Sequence, residues 1–275
     1  SDDPNLKVTR PQIYFGELTD GYVIVDAANN LNEVDYDGNR ETRYQGKAGI
    51  RLNLLNRLLF AIKYRDMKLI TSGYAKNALL LTNRQIIERA QKAMPFLTVD
   101  SDPYILLTED GKLKWVLDAY TTTDAYPYAQ NYGNINYIRN SVKIIMDAYD
   151  GKAEYYIIDH EDPIIKTYDR IYPGIFKKEP LPPDIAEHMR YPELLFKIQT
   201  EMLKKYHLKP ENVLEFYTKQ DLWDIAKYPS DNDQAGVREI DPYYNMIKLP
   251  EGIGEKEELI LMRPFTPSGE QKHNM

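Results

Sequence analysis

Two aspartates occupy the same place in a repeated heptapeptide, and a pair of carboxylates is the smallest equipment for acid/base cleavage of a glycosidic bond. The repeats are Lys114-Trp115-Val116-Leu117-Asp118-Ala119-Tyr120 and Lys143-Ile144-Ile145-Met146-Asp147-Ala148-Tyr149, which share the pattern Lys-x-(Val/Ile)-x-Asp-Ala-Tyr. On strands, alternation puts the Lys, the β-branched residue, the Asp and the Tyr on one face in both copies. If the strands are neighbours, Asp118 and Asp147 can meet, with Tyr120, Tyr149 and Arg139 around them. A structural role is open to the same residues, because Asp-Ala at a strand end caps a turn or pairs with a local Lys or Arg. Two copies at so short a period are not a solenoid; they read as two similar strands of one sheet.

Beside the first repeat, hydroxyls, a carboxylate and aromatic faces crowd into nine residues: Tyr120, Thr121, Thr122, Asp124, Tyr126 and Tyr128. Arg139 and Asn140, just before the second repeat, can add donors. This chemistry suits a polar ligand better than a hydrophobic core. The competing reading is a loop tied down by its own hydroxyls, with tyrosine packed on Pro127.

Other groupings are weaker. Asp35-Tyr36-Asp37-Gly38-Asn39 alternates oxygen ligands as a calcium loop does, but Arg40 and Gly46 stand where an EF-hand needs Gly and Glu. Asp100 and Asp102 before Pro103 can touch a cation or remain a solvated turn. The four histidines, His160, His188, His207 and His273, are scattered without metal-ligand spacing, so no metal is expected. His188-Met189-Arg190-Tyr191-Pro192-Glu193 sits at a helix start, where it can hold an anion or pair Arg190 with Glu187 or Glu193. There is no Gly-x-Ser-x-Gly elbow, phosphate-cradling loop or dinucleotide fingerprint, and no cofactor is expected.

The elements that must position these groups are legible in outline. Gln12–Phe15, Tyr22–Val25 and the interrupted run from Val34 to Tyr44 read as short strands. Leu52, Leu55, Leu59 and Ile62 at helical spacing predict a helix over 52–65. Thr82 with Gln85 reads as a capping box for a helix over 82–94, stopped by Pro95. From 103 the period becomes two. Tyr104–Leu107 and Leu113–Leu117 about Asp110-Gly111, then Val142–Ala148 and Ala153–Ile158 about Asp150-Gly151, read as β-hairpins. Helices follow after Pro163, from Pro192 to about Tyr206 and around Val213–Phe216, then strands over 243–249 and 258–262. The expected fold is therefore α+β: an antiparallel sheet of hairpins near 103–120 and 142–159, with helices over 52–65, 82–94 and 192–206 packed on it. One domain over 1–275 is expected, with 1–98 and 99–275 as the lobes into which it would divide.

Composition bounds the function. The chain has 275 residues, 43% hydrophobic, with 35 Lys+Arg against 42 Asp+Glu, enough to bury a sizeable core. No apolar run is long enough for a spanning helix, and Ser1-Asp2-Asp3-Pro4 lacks signal-peptide regions. A net charge of −7 and a pI near 5.3 argue against nucleic acid and against attachment to an anionic membrane, and no local basic stripe offsets this. Zero cysteines exclude disulfides and thiol chemistry; this fits an extracytoplasmic domain, though many cytosolic domains are also poor in cysteine. Tyrosine outnumbers phenylalanine 23 to 7, which suits half-buried surfaces and clefts as well as ordinary packing.

Several segments together carry a family resemblance. Asn136-Tyr137-Ile138-Arg139-Asn140-Ser141-Val142-Lys143, continuing to Asp147-Ala148-Tyr149-Asp150-Gly151, resembles the most recognisable segment of uncharacterised protein family 0182 (UPF0182). Pro11–Glu17, Ala93–Leu97, Asp102–Tyr104, Asp118–Thr122, Tyr126–Tyr128, His188–Glu193 and Pro264–Pro267 match in order, over nearly the whole chain. Lys47-Ala48 departs from a Gly-rich pair. The resemblance implies long bacterial proteins with several N-terminal membrane helices and a large soluble region, of which this chain is similar to a middle piece, with Ser1 a cloning remnant and Asn274-Met275 a cut end. It carries no catalytic residues. The expected function is thus an extracytoplasmic, non-catalytic module of a bacterial cell-membrane protein that binds a polar ligand, an envelope saccharide or polymer, or a protein partner. The alternatives are a glycan hydrolase using Asp118 and Asp147, and plain structural support for the parent chain.

Overall fold

The computed structural model describes residues 7–27, 33–34, 41–207, 213–218, 222–228, 238–248 and 257–268. The chain divides into two compact units, residues 1–123 with 139–189, and residues 124–138 with 190–275. Residues 98 and 99 both lie within the first unit. The Asp35–Asn39 run lies outside the described residues.

The first unit opens with β1 (Val23–Val25), β2 (Glu33–Val34), β3 (Glu41–Thr42) and β4 (Ile50–Arg51). Gln12–Phe15 is not a strand: the Tyr14 and Phe15 amides both donate to the Ala148 carbonyl at 3.0 Å, and the Phe15 ring enters the core. An anchoring role has overridden its β propensity. Helix α1 (Leu54–Tyr64) starts where the Asn53 side chain accepts the Asn56 amide and ends at Arg65 in a left-handed conformation. Next come α2 (Lys68–Thr71) and β5 (Leu79–Leu81), which lies between β1 and β4. Helix α3 (Ile86–Ala93) is capped by Gln85, whose side chain accepts the Glu88 amide. Thr82, the cap expected from sequence, is bonded instead to the Tyr64 hydroxyl.

The main sheet follows. It contains β6 (Thr98–Val99), β7 (Tyr104–Leu107), β8 (Leu113–Thr123), β9 (Tyr137–Asp147), β10 (Ala153–Ile157) and β11 (Phe176–Lys177). The order is β11-β10-β9-β8-β6, with β7 also on β8. Pairing is antiparallel for β6–β8, β7–β8 and β9–β10, and parallel for β10–β11. Both central strands outrun the expected hairpins: β8 continues through Thr123 and β9 begins at Tyr137. Asp162 opens α4 (Pro163–Ile171) by accepting the Ile164 and Ile165 amides, and α5 (Pro183–Ala186) follows.

Side-chain alternation splits the sheet between two cores. Leu117 and Ala119 of β8 and Val142, Ile144 and Met146 of β9 join Ile86, Ala90 and Ile165 in the larger cluster, so α3 and α4 cover that face. Val116 and Ile145 join Tyr104, Tyr156 and Ile185 on the other. With both faces covered, Val116–Thr121 and Ser141–Met146 are buried continuously. Helix α1 does not cover this sheet as expected; Ala61 packs with Leu52, Leu69, Ala78 and Leu80 in a separate cluster.

The second unit holds α6 (Glu193–Tyr206), α7 (Val213–Thr218), β12 (Trp223–Ile225), β13 (Tyr243–Lys248), β14 (Glu257–Met262) and β15 (Phe265–Pro267). The late strands expected from sequence, β13 and β14, pair antiparallel with Tyr243 opposite Met262. Strands β12 and β15 form a second ribbon. Between them the buried Arg263 guanidinium donates to the Ile240 carbonyl at 3.0 Å and the Thr200 hydroxyl at 2.9 Å. Helix α6, expected with the main sheet, thus belongs to this unit and not to the first.

Candidate functional site

The repeated heptapeptide places its charges in reciprocal pairs. Lys114 Nζ of β8 meets Asp147 of β9 at 2.6 Å, and Lys143 of β9 pairs with Asp118 of β8. Each aspartate is therefore neutralised by the lysine of the other copy, as follows when two strands bearing the same Lys-x-x-x-Asp spacing run in opposite directions. The aspartates sit four residues apart along the sheet, which separates their backbones by about 13 Å.

The two pairs differ in solvation. Side chains of Lys143 and Asp118 are 4% and 5% exposed, and Asn140 Nδ2 donates to Asp118 at 2.8 Å. Burial pushes the Asp118 carboxyl up from its ordinary value, against the opposing pull of Lys143 and Asn140. Asp147 goes the other way. Burial disfavours its charge, but Lys114 and the amides of Asp150 and Tyr149 outweigh that and hold it below the usual carboxylate range. An aspartate that accepts two amides past a strand end is a turn cap.

The expected ligand residues are divided between units. Tyr120 is fully buried, with its hydroxyl on Asp100, which also accepts the Asp102 amide at 3.2 Å. Thr121 is buried too, sharing Asp162 with Ser141. Thr122 lies 3.3 Å from the Thr98 hydroxyl, Arg139 pairs with Asp159 at 2.7 Å, and Asn140 is engaged by Asp118. In the second unit Asp124, Tyr126 and Tyr128 face solvent. The expected loop of 121–128 thus begins only at Asp124, because Thr121–Thr123 extend β8.

That second-unit loop is braced. Asn136 Oδ1 accepts the Tyr126 amide at 3.0 Å while its Nδ2 donates to the Tyr126 carbonyl at 2.8 Å, so one side chain imitates a strand partner. The Tyr126 ring stacks on Tyr137 at 5.4 Å and 20°. Tyr128 is wholly exposed and holds φ 59°, a left-handed conformation uncommon for an aromatic residue. Gln130, Tyr132, Ile135, Asn136, Tyr137 and Ile138 line a cavity of about 190 Å³ with Ile198 and Met202 of α6. Tyr137 and Asn136 went unnoticed as site residues. The signal was present, since an Asx side chain beside a tyrosine-rich turn is a ready backbone partner.

Within the first unit a polar cavity of about 210 Å³ is lined by Arg10, Gln12, Lys112, Lys114, Asp147 and Tyr149, among others. Its charges are largely matched: Arg10 lies 5.0 Å over the Tyr149 ring, Lys112 pairs with Asp110, and Lys114 with Asp147. His188 Nδ1 contacts the Asp184 carbonyl at 2.8 Å, and His207 Nδ1 the Leu203 carbonyl at 3.0 Å. Among the described residues no three acidic or histidine side chains gather as a metal site, and no helix is long and apolar enough to cross a membrane.

A model of an uncharacterised protein family (UPF0182) matches residues 1–275. A UPF0182 protein of Caldicellulosiruptor saccharolyticus is 50% identical over 266 residues, covering 95% of this chain and 28% of the relative. Those of Clostridium acetobutylicum and Clostridium botulinum strain Kyoto are 48% and 45% identical, again over 95% of this chain and 28% and 29% of their own lengths. The chain thus spans less than a third of the curated relatives it matches, and is a piece of a larger protein. No solved structure matches it. By sequence over its full extent, the chain belongs to the uncharacterised protein family UPF0182.

Proposed function

We propose that this part of the larger bacterial protein is a non-catalytic, extracytoplasmic binding module, and that it meets a polar ligand, an envelope saccharide foremost, at the loop of residues 124–136 in its second unit and the adjoining Tyr137. The carrying observation is the stacked Tyr126–Tyr137 pair, held by the two Asn136 bonds beside the exposed Tyr128. An aromatic platform fixed before binding loses little entropy when a sugar face stacks on it. Asp124 and Gln130 offer polar groups at its edge. Zero cysteines fit an oxidising compartment, and the membrane-anchored parent that the family resemblance implies agrees with this reading.

The hydrolase alternative has less support. Asp118 and Asp147 are each paired with a lysine, and Asp118 is buried with a further hydrogen bond from Asn140, which commits both carboxyls to the sheet. A thermal-shift screen of cell-envelope saccharides, nucleotides and divalent cations tests the reading. A saccharide should raise the Tm of the parent chain and lose its effect with Tyr126→Ala or Tyr128→Ala, both at exposed positions that leave the fold intact. A hit indifferent to both substitutions moves the site; no hit with any saccharide favours plain structural support. Reducing ends released from glycan by the parent chain but not by Asp118→Asn would reinstate hydrolysis.

A further inference from the structure

Helix α1 turns an apolar face to solvent. Leu54, Leu55, Leu58, Leu59 and Ile62 are 49–83% exposed, and on a helical wheel they fill one continuous arc of about 140°. The opposite side faces the local core through Ala61, Phe60 and Tyr64. Met67 and Ile70, which follow, are exposed as well. Single exposed leucines are ordinary on a protein surface; five on one helix face mark an interaction site. The platform is firm, because Arg57 donates to the Leu69 and Ile70 carbonyls at 2.8 and 2.6 Å and fastens α1 to α2.

The segment that carries this face is basic, although Asp20 and Glu88 share a pocket with Lys63 at its C-terminal end. Residues 47–76 hold seven Lys or Arg against one acidic residue, Asp66, a local net charge of +6 within a total of −7, which leaves −13 on the rest. Asp66 is itself engaged by the Tyr22 hydroxyl and the Lys68 amide. Lys47, Arg51, Lys63, Arg65, Lys68 and Lys76 are exposed, and among the described residues none forms an ion pair. Chain-wide acidity hides this cluster from a count of total charge.

We propose that α1 is an interfacial docking helix whose leucine face sinks into the headgroup–acyl boundary of an anionic bilayer while the basic residues around it meet lipid phosphates. A bilayer supplies an apolar layer under a negative surface, the complement of a leucine arc bordered by exposed cations. The acidic remainder of the molecule is repelled by the same lipid, so attachment is confined to this side and oriented.

Flotation of the 275-residue chain with phosphatidylcholine vesicles, with and without phosphatidylglycerol, tests this at low and at physiological salt. The expected result is binding at least about tenfold stronger to the phosphatidylglycerol vesicles, weakened by salt. Leu55→Glu with Leu59→Glu should abolish it, and Lys63→Glu with Lys68→Glu should reduce it several-fold. These positions are exposed, so circular dichroism should be unchanged in both variants. No flotation with either vesicle overturns the proposal, as does flotation indifferent to the leucine substitutions. Self-association in light scattering that the leucine variants abolish, without flotation, assigns the face to a second copy and overturns it as well.

Discussion

Removing Lys143 takes from the buried Asp118 carboxylate the lysine it pairs with, so the repeated residues are where single substitutions cost most. Lys143→Met should lower stability by about 3–5 kcal/mol, whereas Asp118→Leu with Lys143→Met should recover most of that loss. Denaturant midpoints of the parent and the two variants check this. The Asp147–Lys114 pair gives a pH signature of defined sign. Its folded pKa is depressed, so its contribution is present above the unfolded value of about 3.9 and is lost as pH falls through the lower folded value. Asp147→Asn should therefore be less stable than the parent at neutral pH, with a gap that closes below about pH 4. Urea unfolding at stepped pH measures it; a gap that stays constant through this window contradicts the assignment.

The turn between β9 and β10 depends on one glycine. Gly151 holds φ 67°, and a Cβ there would come within 2.6 Å of the Phe15 ring, which is itself in the main core. Gly133 also has positive φ, 57°, but nothing lies within 4 Å of its Cβ position. Gly133→Ala should cost about 1 kcal/mol from backbone strain alone, and Gly151→Ala clearly more, since packing strain adds to it; chemical denaturation ranks the two. Asp150-Gly151 and Asp110-Gly111 announced the hairpins in the sequence because local turn chemistry dictates local structure. The repeat likewise announced strands sharing a face, as Lys114, Val116 and Asp118 do in the order their alternation requires. What the sequence did not disclose was non-local: that each lysine would face the other copy's aspartate, and that β8 would run on through Tyr120 and Thr121 into a two-sided core. Hydroxyls on a buried strand and hydroxyls on a loop have the same composition, and only the partners Asp100 and Asp162 distinguish them.

At the scale of the whole molecule, polar groups that look chemically active are committed to holding the main sheet, and the groups left to solvent are elsewhere. Val116–Thr121 and Ser141–Met146 are buried on both faces, with the Asp118–Lys143 and Thr121–Ser141–Asp162 networks inside them. Strands β13 and β14 expose most of their side chains instead. Working sites are drawn from the less stable parts of a structure, whereas a scaffold opens last. Hydrogen exchange read by mass spectrometry on the parent chain tests this most directly. The amides of 116–121 and 141–146 should be the slowest to exchange and those of β13 and β14 markedly faster; exchange of the two repeat strands at the rate of that ribbon would contradict a scaffolding role for the paired charges.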